Sequence, residues 1–72
     1  MHYDMTHIGN VVRTAREAQA LTQMELAAKA NVSLHTIVDI ENGKRNTTIK
    51  ILNELFDTLD IPAKNILHPN DV

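Results

Sequence analysis

Residues 22–33, "TQMELAAKANVS", hold two helix starts and almost no chain between the helices they open. Thr22 followed three residues later by Glu25 is a capping box: the hydroxyl accepts an orphan amide and the carboxylate reaches back to the backbone of the cap. Ser33 is a second cap. A helix of about 23–30, with Leu26, Ala27 and Ala30 on its inner face, therefore reaches the next one through Asn31 and Val32 alone. Two residues are too few for an antiparallel hairpin with a long overlap, so the two short helices must cross at a large angle. Ala27 is small enough to sit where they approach most closely, and Val32 plugs the corner. The corner leaves the first turn of the later helix projecting, and any fold for this chain must be built around it.

The remaining chain also carries helical period and no strand signal. Ile8, Val11, Val12 and Ala15 predict a first helix from about 7 to 19. After Ser33, Ile37 and Ile40 face inward and Gly43 terminates the third helix. "GKRNT" reads as a polar loop, and Thr47 or Thr48 caps a fourth helix to about Leu59, with Ile49, Leu52, Leu55, Phe56 and Leu59 as its apolar side. Pro62 suits the first turn of a short last helix ending near Leu67, and residues 1–6 and 69–72 read as frayed ends. The expected fold is all-α: one domain over 1–72, a compact bundle of about five helices, with an ordered core of about 7–68. A chain of 72 residues buries roughly 60% of its unfolded surface. With one Tyr, one Phe and no Trp, its core must come from Leu, Ile, Val and Ala. The lack of cysteine excludes disulfides and Cys-ligated metals and fits a reducing compartment. No apolar run approaches the roughly 20 residues of a membrane span, and no signal-peptide pattern opens the chain. The expectation is a soluble, cytoplasmic protein with no membrane contact.

The net charge of −2 hides a polarity. Residues 1–53 hold six basic groups (Arg13, Arg16, Lys29, Lys44, Arg45, Lys50) against five acidic ones (Asp4, Glu17, Glu25, Asp39, Glu41), a balance of +1. Residues 54–72 hold Lys64 against Glu54, Asp57, Asp60 and Asp71, a balance of −3. One end can meet phosphates while the other stays away from them.

The run "TQMELAAKANVSLHTIVDIENGKRN", with "ILNELFDTLDIP" behind it, resembles the XRE family, the phage repressor and Cro type of helix-turn-helix. The likeness covers about Ile8 to Leu67, with the helix-turn-helix itself at about 22–42. Single pieces of it are common, but Thr-Gln-x-Glu-Leu-Ala, then Val-Ser, then Ile-x-x-Ile-Glu-Asn-Gly-Lys-Arg in fixed register is specific. The resemblance implies binding to double-stranded DNA. Gln23 matches a residue that binds a phosphate from a helix amino terminus, a natural anion site. Thr22, Ser33 and Arg13 join it as phosphate candidates, as do Asn42, Lys44 and Arg45 in the loop that runs along the backbone. Leu34, His35, Thr36, Val38 and Asp39 match positions that touch base edges. Arg16 and Glu41 match a partly buried ion pair tying the first helix to the recognition helix. The resemblance also places left-handed residues at helix ends, here Ala20, Asn31 and Asp60.

Each residue has a plainer reading beside the functional one. Gln23 can be solvated, Lys44 and Arg45 can be an ordinary charged loop, and Ser33 with Thr36 can be a cap and a packed first turn. Leu34 and Val38 share a face four residues apart and suit the thymine methyl; His35 can donate to a guanine or a phosphate, and Asp39 can accept from cytosine N4. No Arg, Lys, Asn or Gln stands on that outer face before Glu41. Recognition is therefore expected to lean on methyl contacts, DNA shape and dimerisation. The rival is that Leu34, His35, Val38 and Asp39 touch a protein. His35 and Asp39 at i, i+4 do not complete a metal site, with His2, His7 and His68 scattered, so neither metal nor cofactor is expected. No catalytic motif or glycine-rich phosphate loop is present, and an enzyme is not expected. Phe56, where the family more often has a small residue, and Ile61, Ile66 and Leu67 are candidates for a homodimer interface about a two-fold axis. The reading is a repressor or regulator acting as a homodimer on a near-palindromic operator. The alternatives are the DNA-binding partner of a toxin (an antitoxin) or of a restriction–modification system, and a helix-turn-helix used for protein interaction.

Overall fold

The computed structural model describes residues 4–44 and 47–62. They form α1 (Met5–Ala18), α2 (Gln23–Ala30), α3 (Leu34–Glu41) and α4 (Ile49–Leu59). Each helix opens on a short polar side chain that accepts a backbone amide from the first turn: Asp4 from His7, Thr22 from Glu25, Ser33 from Thr36 and Thr48 from Ile51. The capping box of α2 is closed in both directions. The Thr22 amide donates to Glu25 Oε1 at 2.8 Å, and the Glu25 amide donates to Thr22 Oγ1 at 3.0 Å. Hydrogen bonds from the backbone and hydroxyl of Thr22 hold the Glu25 carboxyl below its ordinary 4.5. Its contribution is therefore complete at neutral pH and is lost as pH falls through the lowered value.

The helix ends share one device. Ala20, Asn31, Gly43 and Asp60 all lie in the left-handed region, with φ of 58°, 58°, 68° and 62°. In each case the next residue's amide reaches back to the turn, as Leu21 does to the Arg16 carbonyl at 3.1 Å and Val32 to that of Ala27 at 3.0 Å. After three of these ends the next residue is apolar and packs against the core: Leu21, Val32 and Ile61. After α3 it is Lys44, which is exposed.

Ala20 has a Cβ in a conformation that costs roughly 1–2 kcal/mol for an L-residue. Ala20→Gly relieves it and raises the stability by about 1 kcal/mol, net of the freer unfolded chain. For a domain of this size that is a rise in Tm of about 4–8 °C, readable by thermal melting. A fall in Tm would mean that φ at Ala20 is not under strain.

The core is built from Met5, Ile8 and Val12 of α1, Leu26, Ala27 and Ala30 of α2, Ile37 and Ile40 of α3, and Leu52, Leu55, Phe56 and Leu59 of α4. Gly9 of α1 lies against α3 so closely that a Cβ there would run into the Ile40 carbonyl oxygen and stand 3.1 Å from that of Glu41. At the other end of α1, Gln19 Nε2 donates to the Leu59 carbonyl at 2.8 Å and ties α1 to the end of α4.

Several expectations are corrected. The described residues contain four helices rather than about five; the short helix expected from Pro62 to Leu67 falls, beyond Pro62, outside them. α1 starts at Met5 rather than near residue 7, because Asp4 caps it, and Met5 is buried rather than frayed. Ile49 is exposed rather than on the inner side of α4. Phe56 is 0% exposed at the centre of the core, so it offers nothing to a second copy unless that core opens. Among the described residues no helix is long and apolar enough to cross a membrane.

Candidate nucleic-acid interface

Helical period divides α3 into two faces. Thr36, Ile37, Ile40 and Glu41 are buried. Ser33, Leu34, His35 and Asn42 are exposed, and Val38 and Asp39 lie half-buried beside them. Leu34, an apolar residue, keeps 40% of its surface in solvent. His35 Nε2 stands 3.1 Å from Asp39 Oδ2, with the His35 side chain 79% exposed. Thr36 does not belong to this outer face. It is buried, its amide donates to Ser33 Oγ at 3.0 Å, and the two hydroxyl oxygens are 2.8 Å apart. A first-turn residue three positions after the cap turns back over the cap, so Thr36 packs the first turn and presents no edge to a base.

What fixes α3 in place is Glu41, whose side chain is 0% exposed. Arg16 Nε donates to its Oε2 at 2.7 Å and Arg16 Nη2 to its Oε1 at 3.0 Å, a two-pronged pair. Arg16 Nη1 donates to the Leu21 carbonyl at 2.8 Å, so the guanidinium also holds the α1–α2 corner. The hydrogen bonds to Glu41 push the Arg16 guanidinium above its ordinary value. Arg13 Nη2 donates to the Glu41 backbone carbonyl at 2.7 Å. A cation at the carboxyl end of α3 satisfies a carbonyl the helix leaves open.

The phosphate candidates fall into two groups. Thr22, Asn42 and Lys44 are exposed, as is Ser33. Gln23 and Arg13 are half-buried and already engaged: Gln23 Nε2 donates to Glu41 Oε1 at 3.2 Å, and Arg13 holds the Glu41 carbonyl. Gln23's contact brings the amino end of α2 beside the carboxyl end of α3, and Asn42 and Lys44 follow that carboxyl end in the chain. Arg45, Ile66 and Leu67 lie outside the described residues, and Ile61 is half-buried against the core.

Two features escaped the sequence reading. Met24, in the first turn of α2, is 67% exposed; its signal was an apolar residue out of step with Leu26 and Ala30. Gly9 sets how closely α1 approaches α3; its signal was a glycine inside a helical pattern, which marks a close approach.

Comparison with known proteins agrees with this architecture. The helix-turn-helix family model matches residues 12–64. The HTH-type transcriptional regulator y4mF of Sinorhizobium fredii is 44% identical over 64 residues, covering 89% of this chain and 83% of that protein. The antitoxin HipB of Escherichia coli is 30% identical over 59 residues, covering 82% of this chain and 67% of HipB. The immunity repressor protein of Bacillus phage phi105 is 32% identical over 60 residues, covering 83% of this chain and 42% of the repressor. The chain spans about half the length of several curated relatives it matches. A two-residue corner between capped helices, an uncovered α3 face held by a buried ion pair, and these matches lead to one conclusion: the chain belongs to the XRE-type helix-turn-helix family of DNA-binding transcription regulators.

Proposed function

We propose that this chain binds a specific double-stranded DNA site as a homodimer and represses transcription by occupying it. The observation that carries the reading is the outer face of α3. Leu34 and His35 stand exposed along it, with Val38 and Asp39 half-buried beside them, while Glu41 and Arg16 beneath it hold the helix to α1. A reading helix must be fixed by the fold yet leave an outer side open to a partner, and α3 meets both demands. Lys44, just past α3, and its chain neighbour Arg45 supply phosphate contact, and Gln23 adds its α2 amide end once its side chain leaves Glu41. Ile61 with Ile66 and Leu67 would join two copies, setting two α3 helices about 34 Å apart on a near-palindromic site. The place of action is the cytoplasm.

Selection of bound sequences from random double-stranded DNA at two salt concentrations tests this. A near-palindrome should be enriched, with affinity falling steeply as salt rises. Lys44→Ala with Arg45→Ala should reduce the slope of log K against log salt by about 2 while leaving the preferred sequence unchanged. Enrichment of no sequence at either salt would reject DNA reading.

A second reading is favoured by the exposed Met24, in the first turn of α2, and Leu34, in the first turn of α3, both large apolar side chains, and by the likeness to an antitoxin. On it the chain is the DNA-binding partner of a toxin or of a restriction–modification system, and a protein partner covers part of this surface.

A further inference from the structure

On α3, Val38 and Asp39 are consecutive, both half-buried, and both branch or end close to the helix backbone. Leu34 stands one turn before Val38 on the same side and is exposed. The Asp39 carboxylate is steadied through Oδ2 by His35 at 3.1 Å. Oδ1 has no partner among the described residues. Consecutive residues lie about 100° apart around a helix, so the outer side of α3 offers an apolar contact along Leu34 and Val38 and, next to it in the helical sweep, a carboxylate acceptor at Asp39.

The major-groove edge of DNA gives these two groups different tastes. An apolar pair favours a methyl group on C5 of a pyrimidine. A carboxylate favours the N4 amino group of cytosine and is repelled by O4 of thymine. Thymine satisfies the first and offends the second, whereas plain cytosine satisfies the second and leaves the apolar pair against a bare C–H. Cytosine methylated at C5 carries the methyl group and the amino donor on adjacent atoms of one base. We propose that Leu34, Val38 and Asp39 together read 5-methylcytosine, so that the methylated form of the site is the one bound best. This rests on the DNA-reading function proposed for α3.

The test uses the full chain and the sequence recovered by selection, with each cytosine of the half-site replaced in turn by 5-methylcytosine or by thymine. At one position per half-site, methylation should tighten binding about fourfold, the size expected for burying one methyl group. Thymine at that position should weaken binding about tenfold, as a mismatched pair does. Val38→Ala should bring methylated and unmethylated sites to the same affinity, and Asp39→Asn should erase the discrimination against thymine. If methylation is neutral or harmful at every cytosine, the proposal falls while sequence-specific binding stands. If thymine binds as tightly as 5-methylcytosine, the carboxylate does not read N4 and the proposal falls equally. Failure to bind any duplex removes the DNA-reading function itself, and this proposal with it.

Discussion

Glu41→Ala should cost the fold about 3–5 kcal/mol, as much as truncating a large core side chain. The carboxylate has no access to solvent and accepts two hydrogen bonds from Arg16 and one from Gln23. Removing it strands the Arg16 guanidinium, whose side chain is only 12% exposed, with no buried counter-charge: the carboxylate that remains, Glu17 at 3.9 Å, is mostly in solvent. The loss is large because of what is left behind, rather than because the pair itself contributes that much. A buried ion pair replaced whole by apolar groups of similar size is often neutral or stabilising. Arg16→Met combined with Glu41→Leu should therefore recover most of the stability lost in Glu41→Ala. Urea unfolding followed by helicity measures both variants. Equal damage in the single and double variants would mean that packing at this point, and not the uncompensated charge, sets the cost.

Gly9→Val is expected to be comparably damaging, at about 3 kcal/mol. A Cβ at Gly9 collides with the backbone carbonyl of Ile40 and crowds that of Glu41. Those atoms belong to the last turn of α3 and cannot rotate away as a side chain would. The helices must move apart, and overpacking of this kind costs typically 1–3 kcal/mol and sometimes more. Gly9→Ala adds the smaller group and gains about 1 kcal/mol of helix propensity, so it should lose less than Gly9→Val. Because α1 holds the end of α3, both variants should also weaken DNA binding at temperatures where they remain folded. If Gly9→Ala stabilises the chain, α1 and α3 are not in backbone contact at this point.

What could be read without coordinates was what local chemistry decides. Thr22, Ser33 and Thr48 announce helix starts through hydroxyls that serve the next turn, and the three starts lie where those residues stand. Asp4 does the same, but no apolar period precedes Ile8 strongly enough to carry the helix back to it, so local pattern alone leaves Met5 outside the helix. Asn31 and Asp60 tolerate the left-handed conformation they adopt, and the resemblance pointed to Ala20, whose own chemistry opposes it. What stayed hidden depends on which of two neighbours the tertiary fold turns inward. Period alone puts both Ile49 and Phe56 on the apolar side of α4, yet one is exposed and the other fully enclosed. Thr36 turns over its cap instead of outward, and Gln23 turns to Glu41. Polar side chains of this kind have two good partners, one in water or on DNA and one within the fold. Only the packed geometry shows which is taken.

The division of α3 into two faces also bears on how such a protein can change. Leu34, His35 and Asn42 are exposed, and Val38 and Asp39 sit at the edge of burial, whereas Ile37, Ile40 and Glu41 carry the attachment to the rest of the chain. Substitutions on the outer positions leave that anchorage undisturbed, so on the DNA-reading role proposed for α3 new specificities are reachable by single steps through folded intermediates. The inner positions permit no such drift. On that role, a scaffold of this kind can change its targets while its architecture stands still.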